Sequence, residues 1–400
     1  MPSSARAEPP PRLVADAAAL RSVCAALRRG GVFGFDTEFI RERSYLPLLC
    51  LVQVATADRV ALIDPFAVEM REFWEIVADP AVIKVVHAGS QDLEIGYLNT
   101  SLVPANIFDI QVAAALVGMH YPLPYGKLVH QLLTVRAPQD HTVSDWSRRP
   151  LSAGQIEYAV ADVAYLLRAR EKLLARLRNL GRESWLREEM LPLEAPPLYV
   201  TDTQRAYQRV RGWERLRPRE LAVLCELLAV RDRGARQADL PVRTFLKDEV
   251  LVAIARQMPQ TPAELHAARG FPAPLVRQVG PAILQAVRVA QQVEAANLPA
   301  VARDEDDDPA SRMLVDLAAA AGQALCLTGQ LNHALLASRG DYAELVRAIR
   351  RADAAHSADK THLRTGWRRD FAGRHIAAIL LGQAALRVAN IQKKPNLELE

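Results

Sequence analysis

Four cysteines are spread over 400 residues: Cys24, Cys50, Cys225 and Cys326, with no C-x-x-C pair among them. That spacing argues against a disulfide framework or a cysteine zinc site and suits a reducing compartment. His356 and His362 have no partner spacing that would hold a metal. No G-x-x-x-x-G-K-[ST] loop occurs, which argues against a helicase and against a nucleotide cofactor. The N-terminus, MPSSARAEPPP, has no apolar core of the kind a signal peptide needs. Residues 314–327, among the most apolar, are interrupted by Asp316, Gly322 and Gln323 and are too short to span a bilayer. A cytoplasmic chain with no membrane partner is expected.

What is present is length and an uneven charge. Four hundred residues exceed one comfortable core, so two or three domains are expected. The net charge is +4, but residues 1–202 carry −3, residues 203–290 +7, residues 291–310 −5 and residues 311–400 +5. An acidic segment followed by two basic ones suggests that chemistry and polyanion grip are divided between domains. An arginine-rich composition alone produces such imbalance too.

Residues 31–39, 48–56 and 59–64 read as three strands in quick succession. Residues 71–78 read as a helix, 82–87 as a buried strand, 91–98 as a helix and 106–109 as a short strand. Residues 152–178 read as one long helix with Ser152 as N-cap. A mixed sheet with helices on its faces follows. The domain expected over residues 12–190 is preceded by a disordered stretch, 1–11, and followed by a proline-rich linker, 191–202. Residues 203–290 show amphipathic helical stretches at 221–231, 248–258, 261–268 and 275–290, with a capping box at Thr261. An acidic linker, 291–310, separates these from a second helical region of similar length, 311–391, and a tail, 392–400. The two helical regions look like a repeat of a small all-α domain.

Five side chains carry the chemistry. Asp36 and Glu38 are two apart on a strand and so share a face. Tyr158 and Asp162 are four apart on a helix and converge on one point. Asp92 follows a strand-to-helix turn, a position where α/β proteins place functional groups. Each piece alone is common on surfaces; their order and spacing together are specific. Carboxylates that converge repel one another unless a cation sits between them. An all-oxygen set suits Mg²⁺ or Mn²⁺ better than zinc. The combination points to two-metal phosphodiester chemistry.

Residues 35–53 (FDTEFIRERSYLPLLCLVQ), 84–93 (KVVHAGSQDL) and 158–166 (YAVADVAYL) closely resemble the three exonuclease motifs of the ribonuclease D family. Residues 108–111 (FDIQ) and 144–151 (SDWSRRPL) resemble flanking segments of that family. Residues 203–290 look like the helical HRDC module, and residues 311–391, with GWRR at 366–369, like the second HRDC-type module. The resemblance implies an RNase-H-like α/β exonuclease domain followed by two small all-α HRDC-type domains. It implies a 3′→5′ hydrolytic exonuclease of the DEDD superfamily, with Asp36, Glu38, Asp92 and Asp162 holding two divalent cations. Tyr158 would orient the attacking water. The sister subclass has histidine five residues before the last aspartate; here that residue is Glu157, so the tyrosine subclass is indicated.

Other residues keep two readings each. Gln53, Tyr45, His87, Trp146, Arg148 and Arg149 are candidates for contact with the 3′ nucleotide or its phosphate. For His87 the alternative is a hydrogen-bonded structural role, for Trp146 core packing, and for the two arginines solvation. Asp109 either assists the site from behind or caps the helix near Gln111. Arg205, Arg209, Arg211, Arg215, Arg217 and Arg219 crowd around Trp213. That mixture suits phosphate grip with stacking, or a packing and protein-interaction unit. The expected activity is a monomeric exoribonuclease trimming RNA 3′ ends, with tRNA precursors as the substrate class the resemblance suggests. The rivals are a 3′→5′ DNA exonuclease and a non-catalytic HRDC scaffold.

Overall fold

The structure is a computed structural model that describes residues 11, 13–135, 144–196, 206–299, 308–350, 362–389 and 396–399. Arg205 and His356 lie outside the described residues. By internal contacts the chain divides into two units. One comprises residues 1–38, 51–195 and 304–400, and the other residues 39–50 and 196–303.

The first unit is built on a six-stranded sheet. Its strands are β1 (Leu13–Val14), β2 (Val32–Ile40), β3 (Leu48–Ala55), β4 (Val60–Ile63), β5 (Ile83–Val86) and β6 (Ile107–Asp109), in the order β1-β4-β3-β2-β5-β6. β3 and β4 run antiparallel, whereas β2–β5, β5–β6 and β1–β4 pair in parallel, so the sheet is mixed as expected. Its helices are α1 (Ala17–Gly30), α2 (Arg71–Val77), α3 (Ser90–Thr100), α4 (Ile110–Leu116), α5 (Tyr125–Leu133), α6 (Ala153–Ala164), α7 (Leu166–Asn179) and α8 (Glu183–Met190). α1, not anticipated from the sequence, is bounded by local signals: Asp16 accepts from the Ala19 N–H at 2.8 Å, and Gly31 closes it at φ 64°.

β2 is held in place by its odd-numbered aromatic side chains. Phe33 and Phe35 are buried and pack edge-on with Phe73 and Trp74 of α2. Each such ring contributes roughly 1.5–3 kcal/mol by burial. Gly34, between them, leaves room for Leu166: a Cβ there would come within 2.8 Å of the leucine side chain. α7 is thereby drawn onto the strand that carries Asp36.

The long helix expected over residues 152–178 is two helices. Ser152 and Gln155 form the capping box that starts α6. The chain then leaves helical geometry at Tyr165 (φ −110°, ψ −1°), where the backbone N–H donates to the Tyr125 hydroxyl at 3.3 Å. The periodicity of apolar residues continues through the break, so the sequence pattern does not register it.

Residues 206–299 surround their own core, which includes Leu221, Leu224, Leu251, Ile254, Ile283 and Val287. The principal helices are Pro218–Ala238, Asp248–Gln257 and Ala273–Gln292. Residues 308–389 form helices Pro309–Gly329, Arg339–Arg350 and Arg374–Leu380. A two-stranded ribbon, Leu386–Ala389 with Asn396–Leu399, falls where the sequence suggested the end of the helical region and a tail. Helix Pro309–Gly329 is longer than the apolar stretch at 314–327 and is long and apolar enough to cross a membrane. Here its Val315, Ala318, Ala321, Gly322 and Ala324 are buried, with Gly322 directly under Tyr342.

Candidate active site

Strand alternation sends Asp36 and Glu38 to one face of β2, and the last turn of α6 brings Asp162 to meet them. One carboxylate oxygen from each of Asp36, Glu38 and Asp162 lies within 4.8 Å of the others. Asp92, in the first turn of α3, is held by Thr37: the threonine N–H donates to its Oδ1 at 3.1 Å and the hydroxyl makes a short bond to the same oxygen. Thr37 thus points away from Asp36 and Glu38 and ties β2 to α3. Thr37 is not among the residues singled out from the sequence, although a hydroxyl between two carboxylates is a visible signal there. Tyr158, one helical turn before Asp162 on α6, lies close enough to hold that carboxyl's pKa down. All five residues singled out from the sequence are therefore in one neighbourhood.

The electrostatics record the crowding. Burial, then the charges of Asp92, Asp162 and Glu38, push Asp36 well above the usual carboxylate range. Glu38 is pushed up to about 8 by burial and by Asp162 and Asp92. Asp162 rises to about 6 through burial, with the Tyr158 hydrogen bond pulling it back. Asp92 also rises to about 6, burial outweighing the bonds from Thr37. Without a cation these groups hold protons more tightly than ordinary carboxyls do. A divalent cation reverses that tendency, and the all-oxygen donor set fits a hard one.

Asp109 serves the turn before Asp92. Its carboxylate accepts from the Ala88, Gly89 and Gln111 N–H groups at 3.1, 3.2 and 2.8 Å. It caps α4 and fixes the Ala88–Gly89 turn, in which Ala88 takes a left-handed φ of 55°. His87 is half-buried, with Nε2 bonded to the Leu123 carbonyl at 2.9 Å and its ring edge-on to Tyr125. Burial lowers its pKa, against the pull of Asp109. These contacts match the hydrogen-bonded structural reading of His87.

The remaining candidates disperse. Gln53 is fully buried on β3, and neither atom of its amide has a partner among the described residues. Trp146 is 4% exposed and packs against Tyr158, ring centroids 6.0 Å apart. Arg149 grips Asp64 at 2.7 Å, while Arg148 is exposed and pairs with Asp145. Tyr45 belongs to the second unit, where its hydroxyl donates to Asp232 at 2.6 Å and Arg236 lies over its ring.

In that unit Arg217 pairs with Glu220, and Arg219 donates to the Ala290 and Val293 carbonyls at a helix end. Arg209, Arg211 and Arg215 are exposed, and their side chains have no ion pair among the described residues. Trp213 is half-buried against Tyr207. In the first unit His362 lies 3.9 Å from Asp341.

The mixed sheet and its carboxylate cluster define a metal-dependent 3′→5′ exonuclease of RNase-H-like fold, and residues 11–178 match the 3′-5′ exonuclease family model. Residues 220–287 match the HRDC domain. The chain is 38% identical over 395 residues to ribonuclease D of Granulibacter bethesdensis, covering 96% of each. It is 34% identical to ribonuclease D of Nitrobacter hamburgensis, covering 94% of this chain and 97% of that one. The crystal structure of Escherichia coli RNase D, an exoribonuclease involved in structured RNA processing, superposes with a TM-score of 0.80 at 29% identity. The match covers 93% of this chain and 99% of that one. The chain belongs to the ribonuclease D family. Its activity is that of a hydrolytic 3′→5′ exoribonuclease.

Proposed function

We propose that Asp36, Glu38, Asp92 and Asp162 hold two divalent cations, Mg²⁺ or Mn²⁺, over which a 3′-terminal RNA phosphodiester is hydrolysed to release a nucleoside 5′-monophosphate. The observation that carries this is the convergence of oxygens from Asp36, Glu38 and Asp162 within 4.8 Å in a site that raises their pKa values. Held there, such cations would supply Lewis-acid chemistry, lowering the pKa of an attacking water and offsetting charge on the departing 3′ oxygen. The chain's own part is orientation. Thr37 fixes the Asp92 carboxylate, and Tyr158, beside Asp162, directs its hydroxyl to the water.

The physiological substrate is a structured RNA with a single-stranded 3′ end, tRNA precursors being the class proposed. The structured-RNA role stated for the Escherichia coli protein supports this. Residues 311–391 act as a second HRDC-type module. The protein works as a monomer in the cytoplasm, where its four free cysteines remain reduced.

Asp36→Asn and Asp162→Asn are expected to abolish cleavage while RNA binding stays nearly intact. Tyr158→Phe is expected to slow single-turnover cleavage by roughly 10²–10⁴-fold. Residual activity within a few-fold of wild type in either aspartate variant would remove that residue from the metal site. Side-by-side digestion of 3′-labelled tRNA precursor, unstructured RNA and single-stranded DNA, with and without Mn²⁺, tests the substrate class. Faster digestion of DNA would overturn it.

A further inference from the structure

Tyr158 stands on the second turn of α6, and the segment that delivers the chain to α6 is residues 144–152. One anchor of that segment, beside the buried Trp146 ring, is Arg149. The Arg149 guanidinium meets the Asp64 carboxylate with Nε and a terminal nitrogen at 2.7 Å each. Its other terminal nitrogen donates to the carbonyls of Trp146 and Arg148 at 2.9 Å each. The plane also lies over the Phe66 ring, 4.8 Å from its centroid.

Asp64 is itself fixed to the sheet. It follows β4, its N–H donates to the Val14 carbonyl at 3.0 Å, and its carboxylate accepts from the Phe66 N–H. Burial, the largest single influence, would raise its pKa, but the Arg149 hydrogen bonds, the Phe66 N–H and the Arg149 charge together hold it below the usual carboxylate range. The pair is 24% and 7% exposed on the arginine and aspartate sides. The backbone that Arg149 holds at Trp146 carries the ring packed on Tyr158.

We propose that the Asp64–Arg149 pair is the positioning device for Tyr158. It pins the 144–152 segment to the end of β4, and through Trp146 sets the angle at which the tyrosine hydroxyl faces the reacting water. This rests on the role proposed above for Tyr158. The arrangement requires arginine, because lysine offers a single point charge where Asp64 and the Trp146 carbonyl need a planar fork. It also leaves Arg149 a poor phosphate ligand, since each guanidinium nitrogen already has a protein acceptor. A substrate phosphate would have to break the pair to reach it.

The test is single-turnover cleavage of a short 3′-labelled oligoribonucleotide by the full chain, with RNA affinity measured separately and circular dichroism confirming the fold. The variants are Arg149→Gln, Arg149→Lys, Asp64→Asn, Tyr158→Phe and the double variant Arg149→Gln/Tyr158→Phe. Arg149→Gln and Arg149→Lys are expected to slow cleavage by roughly 10- to 100-fold, as small misplacements of a reacting group do. RNA affinity should stay within about twofold. On the Tyr158→Phe background, Arg149→Gln should cost less than about twofold more, because the two residues act as one unit. If Arg149→Gln fails to fold, the near-isosteric Asp64→Asn takes its place in the same cycle.

Two outcomes overturn the positioning role alone: losses that multiply in the double variant, or weakened RNA affinity with an unchanged rate. The latter would make Arg149 a phosphate contact. A Tyr158→Phe enzyme at wild-type speed would overturn the tyrosine's role, and the positioning role with it.

Discussion

Residues 206–299 and 308–389 look alike in sequence, both helical and both basic, yet they bury their apolar faces differently. The first region closes on itself around Leu224, Leu251, Ile254 and Val287. The second is stitched into the catalytic unit. Arg182, just before α8, donates to the carbonyls of Leu116, Gly329 and Gln330, so it caps the end of helix Pro309–Gly329. Asn332 bonds the Ala115 and Met119 carbonyls. Trp185 stacks on Trp367 at 4.7 Å, and Glu189 pairs with Arg368. The lesson is that two helical regions of similar length need not be equally separable. Removing everything after residue 202 would strip packing from α4 and α8 as well as any RNA grip.

The largest expected effect falls on the stitched region. Arg368 is buried, pairs with Glu189 and donates to the Leu335 and Leu336 carbonyls. Arg368→Ala leaves the Leu335 and Leu336 carbonyls without this donor and takes the counter-charge from Glu189, which keeps the Trp367 Nε1–H bond, a loss of about 3–5 kcal/mol. Thermal inactivation of cleavage should move to markedly lower temperature. The matched change in the other unit is Arg231→Ala, which breaks the buried pair with Asp248. Its cost should be similar by melting, yet cleavage of a short oligoribonucleotide should survive it. Equal loss of activity in the two variants would erase the distinction between the regions.

The smallest expected effect sharpens the same comparison from the substrate side. Arg209, Arg211 and Arg215 are exposed on the self-contained region. Changing all three to Gln should alter stability by no more than about 0.5 kcal/mol per site. If they grip RNA, the log–log salt slope of binding should become shallower by up to about 0.7 for each lost contact. An unchanged slope would make this region a protein-interaction unit instead.

The carboxylate site is legible in the sequence because it depends on the two shortest-range rules of structure. Alternation on β2 pairs Asp36 with Glu38, and the four-residue repeat on α6 pairs Tyr158 with Asp162. What joins these pieces is long-range and leaves no periodic mark. Thr37 reaching Asp92, Arg149 reaching Asp64, and Asp109 holding the turn before Asp92 are each local ties between segments distant in sequence. The break at Tyr165 escapes for the same reason, since it is set by the hydroxyl of Tyr125, forty residues away. The fate of the last helical region is hidden too, because its face toward α8 has the same apolar spacing as a face toward its own core.

Whether the carboxylates gather to hold a cation is tested most directly by thermal unfolding across pH, with and without Mg²⁺. Glu38 has its folded pKa raised from the ordinary 4.5 to about 8. A carboxyl shifted upward contributes stability that is complete below its ordinary pKa and is lost as pH rises through its folded value. The metal-free protein should therefore lose stability between about pH 4.5 and 8. Mg²⁺ should restore it by a margin that grows from pH 6 to pH 8, as protons stop competing for the oxygens. In Asp162→Asn the margin should collapse. A Mg²⁺ effect that is absent, or that is the same in wild type and Asp162→Asn at every pH, would contradict the metal site.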